Sequence, residues 1–90
     1  MSPEIQNAIG SNWDEVKDLD WYGFYPVFEI GRGEIIVANV VPADIDTDDL
    51  IPVSVFDGGE FEADTSGHHD GFIEVSNYRR AYDEMVGGSR

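Results

Sequence analysis

Two apolar runs rich in β-branched residues, Ile35-Ile36-Val37-Ala38-Asn39-Val40-Val41 and Leu50-Ile51-Pro52-Val53-Ser54-Val55-Phe56, meet across the stretch Pro42–Leu50, which reads P-A-D-I-D-T-D-D-L. Runs of this kind form buried strands. The connection between them carries Asp44, Asp46, Asp48 and Asp49 and is too charged to enter a core. The chain must therefore build a sheet from the two runs while holding an acidic link in solvent.

The flanking segments supply the rest of such a sheet. Ser2-Pro3-Glu4 is a helix-start pattern, and Ile5, Ile9, Trp13 and Val16 recur at helical spacing. Gly10-Ser11-Asn12 interrupts that face, so either one weak helix reaches about Asp18 or two short ones meet there. Trp21–Ile30 is aromatic and β-prone, and Pro26 within it predicts an edge strand or a bulge. Gly31-Arg32-Gly33 predicts a tight reversal into Glu34–Val41, and Asp57-Gly58-Gly59 predicts a hairpin from Leu50–Phe56 into Glu60–Asp64. Thr65–Gly71 reads as a polar loop and Phe72–Val75 as a last short strand. Ser76 then caps a helix over Asn77–Val86 with Tyr78, Ala81, Tyr82 and Met85 on one stripe, or Asp70 caps a longer helix starting near Gly71. The expected architecture is a single α+β domain over residues 1–90: an antiparallel sheet of four to five strands with an N-terminal and a C-terminal helix.

The charge is far from balanced, with 19 acidic against 5 basic residues and a net of -14. Acidic chains that also lack aromatic and branched aliphatic residues stay unfolded, but five Phe, four Tyr and two Trp argue for a packed core here. No Lys or Arg occurs between Arg32 and Arg79, an interval holding eleven of the 19 acidic residues. Such a field repels DNA, RNA and anionic membranes and attracts basic protein surfaces. No apolar run is long enough to cross a membrane and the N-terminus lacks a signal-peptide pattern, so a cytoplasmic protein is expected. The absence of cysteine excludes disulfides, thiolate metal sites and cysteine nucleophiles.

Three constellations invite chemical readings. Asp44, Asp46 and Asp48 match positions one, three and five of a calcium loop, but Asp49 stands where that loop requires glycine and Val55 where it requires a bidentate Glu. His68-His69-Asp70 holds the only histidines and is the minimum kit for a metal site or a proton-transfer pair, yet it lacks a further ligand at a recognised spacing and reads as an exposed loop. Ser54, Ser66 and Ser76 lie in no nucleophile elbow, and no phosphate-binding or dinucleotide fingerprint is present. We therefore expect no enzyme, no cofactor and no metal.

What remains is two carboxylate rows, Asp44, Asp46, Asp48 and Asp49 on the link and Glu60, Glu62 and Asp64 on the outer strand, with Asp57 at the turn that leads from Leu50–Phe56 into that outer strand. Along an extended chain the i, i+2 spacing is about 6 to 7 Å, the same order as the phosphates of one nucleic-acid strand. The rows are expected to occupy the basic groove of a nucleic-acid-binding protein or complex, with Trp21, Tyr22 and Tyr25 as exposed anchors and no direct contact to nucleic acid. By composition alone the chain resembles the small acidic inhibitors that phages and mobile elements direct against host nucleases, including anti-CRISPR and anti-restriction proteins. The alternative is a halophilic domain whose acidity serves solvation, since Asp outnumbers Glu and only one Lys is present. An open edge at Tyr25–Ile30 is expected to permit a homodimer by strand addition.

Overall fold

The computed structural model describes residues 3–31, 34–46, 48–56, 60–64 and 68–86, with Glu60 and residues 81–86 described by their backbone alone. Eight elements follow in order: α1 (Pro3–Ala8), α2 (Trp13–Val16), β1 (Phe24–Gly31), β2 (Glu34–Pro42), β3 (Leu50–Phe56), β4 (Glu60–Ala63), β5 (Gly71–Glu74) and α3 (Val75–Val86). The α+β class, the five strands and the helices near both ends match the expectation. The strands form one sheet in the order β2-β1-β5-β3-β4. All pairs are antiparallel except β1 with β5, which is parallel, so the sheet is mixed and not the wholly antiparallel one expected, because β5 returns beside β1 from the far end of the chain rather than through a hairpin.

β1 is thus a central strand, not an edge, although it contains Pro26. Ile30 N–H points away from β2, to Asn77 Oδ1 at 3.0 Å. By the alternation of a strand, Phe28 and Pro26 also direct their nitrogens toward β5. The paired register with β5 starts only at Val27 opposite Phe72, so the hydrogen bond that Pro26 cannot donate falls at the open end of that ladder. The dimer expected from an edge at Tyr25–Ile30 loses its basis, because both sides of β1 are occupied.

The register divides the side chains between two faces. Phe28, Ile30, Ile35, Val37, Val40, Val53 and Ile73 join Ile5, Ala8 and Val16 of the helices in the main core, with Trp13 edge-on to Phe28 at 5.0 Å. Val37, Val53 and Ile73 have no exposed surface, and burying side chains of this size contributes about 1.5–3 kcal/mol each. The opposite face carries a smaller cluster of Val27, Val41 and Phe72, covered by Tyr25, Ile45 and Leu50. β2 reaches both clusters by alternation, and the register slip between Val27 and Phe28 leaves Ala38 as an extra residue, so that Val40 rather than Val41 follows Ile35 and Val37 on the main-core face.

The N-terminal break also has a structural cause. Gly10 adopts φ 86°, a left-handed conformation that ends α1 and turns Ser11 and Asn12 alongside β2. Gly10 N–H donates to Val37 O, Val37 N–H donates to Ser11 O at 3.0 Å, and Asn12 bridges Ile36. At the other end α3 starts at Val75, directly from β5, so Ser76 lies inside the helix. Asp70 caps no helix and instead accepts from Val55 N–H at 2.8 Å. Tyr78 stands edge-on to Phe61 of β4 with ring centroids 5.5 Å apart, while the side chains of Ala81, Tyr82 and Met85 lie outside the described residues. No helix among the described residues is long and apolar enough to cross a membrane.

Candidate functional site

The acidic link is a crossover laid over one face of the sheet. Pro42 ends β2 opposite Phe24 at the start of β1, whereas Leu50 begins β3 opposite Glu74 at the end of β5. β1 and β5 run parallel, so the link passes from one end of the sheet to the other while crossing both. Three strand spacings and a rise of five residues make a diagonal of about 22 Å. Eight chain steps reach at most about 28 Å, which leaves little slack.

Within the link one side chain faces inward and the aspartates face outward. Ile45 is half-buried against the cluster of Val27, Val41 and Phe72, on the face opposite the helices. Asp44, Asp46, Asp48 and Asp49 are exposed. Ala43 N–H donates to Gly23 O, Ile45 N–H to Pro42 O, Asp48 N–H to Asp46 Oδ1 at 3.3 Å, and Val75 N–H to Asp49 O at 3.0 Å. The link is therefore tied at both ends and pinned between them by Ile45. Among the described residues no basic side chain forms an ion pair with its four carboxylates.

Val55, at the position where a calcium loop places its bidentate ligand, lies in β3 and packs on the main core, so the loop reading fails in space as well as in sequence.

The second row is less regular than its sequence. Glu62 pairs across from Ser54 and is exposed, on the same face as Leu50, Phe72 and the link. Asp64 is half-buried, and its Oδ2 accepts from Ser54 Oγ at 2.8 Å, so this member of the expected partner-binding row is engaged within the sheet. The side chain of Glu60 and the whole of Asp57 lie outside the described residues. The structure thus brings Asp44, Asp46, Asp48, Asp49 and Glu62 to one side of the sheet and gives Asp64 a supporting partner. Cations stand at the α3 end of that side. Arg80 approaches Glu29 at 4.0 Å, and Arg79 lines a groove with Asp49, Leu50 and Glu74.

The aromatic and histidine expectations need correction. Tyr22 is 88% exposed, but Trp21 is half-buried and donates from Nε1 to Val16 O at 3.2 Å. Tyr25 packs at 5.5 Å from Phe72 and at 4.9 Å from His69. His68 is exposed, whereas His69 lies between Tyr25 and Phe72 and is part of the packing rather than of an open loop. Both His69 ring nitrogens are out of solvent without a hydrogen-bond partner among the described residues. Among those residues no three His, Cys, Asp or Glu side chains are grouped as metal ligands. Sequence reasoning missed Ile45 as the anchor of the link; its signal was the single large apolar residue flanked by aspartates at i-1 and i+1.

No protein-family model, no curated protein and no solved structure matches this chain.

Proposed function

We propose that this protein is a non-enzymatic inhibitor or binding protein that presents its acidic crossover to the basic groove of a nucleic-acid-processing protein, as a nucleic-acid mimic does. The observation that carries the reading is the anchoring of the link. A solvated charge run needs no fixed course, yet Ile45 and the ties at Ala43 and Asp49 hold four exposed carboxylates along a defined line with Glu62 on the same side. Pre-arranged charge loses less conformational freedom on binding and steers a basic partner at long range. The compartment that goes with this reading is the cytoplasm, of a host cell if the chain is phage-encoded.

The test is capture from a host lysate with the wild type and with a variant carrying Asp44→Lys, Asp46→Lys, Asp48→Lys, Asp49→Lys and Glu62→Lys. Asp64 is left intact because its hydrogen bond to Ser54 supports the sheet. The reading expects a nucleic-acid-binding protein retained by the wild type, released by salt and absent from the variant. Equal retention by a variant with an unchanged unfolding curve refutes it.

A further inference from the structure

The sheet has two outer edges, and the described residues cover one of them. Along β2 the segment Gly10–Asn12 takes up the outward backbone groups of Val37 and bridges Ile36. Along β4 no described residue does the same. The direction of its outward groups follows from Asp64, whose N–H donates to Pro52 O at 2.9 Å, toward β3. Backbone direction alternates along a strand, so Glu62 also faces β3, while the N–H and C=O of Phe61 and Ala63 point outward.

The side chains beside that edge, uncovered among the described residues, specify what fits it. Glu62 stands exposed on the face of the acidic crossover, with Asp64 next along the same side. Phe61 lies half-buried on the core face. A strand added to β4 would therefore set one set of alternate residues next to carboxylates and the other next to Phe61 and Ala63. Opposite charges across neighbouring strands stabilise the pair and like charges oppose it. A second copy of this chain, at a net charge of -14, is opposed as the occupant by the same rule.

We infer that β4 is a docking edge for an extended segment of a partner protein in which Lys or Arg alternates with apolar residues, bound by strand addition. The inference rests on the reading that the partner surface is basic, and it adds backbone pairing, which charge mimicry does not require.

The probe is a blocked heptapeptide of alternating lysine and valine. It is added to the ¹⁵N-labelled chain and to Ala63→Pro, in which the lost N–H points away from β3 and the exposed side chain packs on nothing deep. The expected result is protection of the Phe61 and Ala63 amides from exchange in the wild type, and binding about tenfold weaker in the variant. Unprotected amides, unchanged binding by Ala63→Pro, or a chain that sediments as a dimer with those amides already protected each overturn the inference. Should Ala63→Pro unfold, amide protection in the wild type decides alone. Loss of peptide binding on changing Asp44, Asp46, Asp48 and Asp49 to Asn, with Ala63→Pro unaffected, removes the edge and leaves the acidic-face reading standing. The reverse pattern, with lysate capture indifferent to the link, removes mimicry and leaves the edge.

Discussion

The Asp70 carboxylate accepts a hydrogen bond from the backbone N–H of Val55 at 2.8 Å, and Asp70 N–H donates to Val53 O at 2.9 Å. One residue ahead of β5 thus continues the β3 ladder, using a side chain where the backbone has already turned away. Val55 packs on the main core, so an unmet N–H there would carry a desolvation penalty. Asp70→Ala is expected to lower stability by about 1–3 kcal/mol. Asp70→Asn keeps an acceptor in place and should lose less. Urea unfolding of the three proteins at one pH measures both differences, and equal midpoints for wild type and Asp70→Ala would show the bond to be without consequence.

At Gly71 the backbone of β5 leaves no room for a side chain against β1. A Cβ at this position would lie 2.5 Å from Pro26 O and 2.8 Å from the Phe28 ring, and a backbone oxygen in a central strand cannot move aside cheaply. Gly71→Ala should therefore cost about 2–4 kcal/mol, more than ordinary overpacking at its lower end. Gly10 makes the contrast. Its φ of 86° is unfavourable for any side chain, but a Cβ there meets nothing within 4 Å. Gly10→Ala should cost only about 1–2 kcal/mol. Thermal unfolding of the two variants side by side tests the order.

Ile45 separates fixed charge from mere charge. Ile45→Ala removes the apolar anchor of the crossover and leaves every carboxylate in place. Stability should fall by about 1–3 kcal/mol, toward the low end because Ile45 is only half-buried. Amide exchange along Asp44–Asp49 should rise. If the captured partner binds a row of defined course, its affinity falls with that loss of order. An affinity unchanged at a visibly loosened link would mean that net charge alone is recognised.

Much of this arrangement was legible in the residues. The β-branched runs gave β2 and β3 their positions, Gly31 and Glu34 close the expected hairpin, and the alternation of Asp44, Ile45 and Asp46 already held the pattern of one side chain inward and its neighbours outward. Strand order was not legible, because it depends on partners far apart in the chain. Pro26 signals an edge by its missing N–H, yet β5 starts so late along β1 that the missing donor costs no paired bond. His69 read as a loop residue because its neighbours are polar; only the fold brings Tyr25 and Phe72 against its ring. Asp64 looked equivalent to Glu62 at period two, and the difference lies in Ser54 on the neighbouring strand. The crossing of the link over the sheet follows from β2 and β3 being separated by two strands that come from opposite ends of the sequence.

Salt distinguishes an interaction surface from a solvation adaptation. Asp44, Asp46, Asp48 and Asp49 form no ion pair among the described residues, and they sit in a body of net charge -14, so each is repelled by the rest of the chain. Changing all four to Asn should leave stability at about 0.1 M salt unchanged or raised by up to about 1 kcal/mol, while removing affinity for a basic partner. The wild type should be folded at that salt and gain only modestly from more, since screening within about 10 Å weakens repulsion without altering the core. A halophilic domain behaves otherwise: it requires molar salt to fold, and removing its carboxylates erodes stability at high salt. Unfolding midpoints of the wild type and the four-Asn variant across a salt series separate the two. A wild type that is unfolded at about 0.1 M salt would assign the acidic surface to solvation.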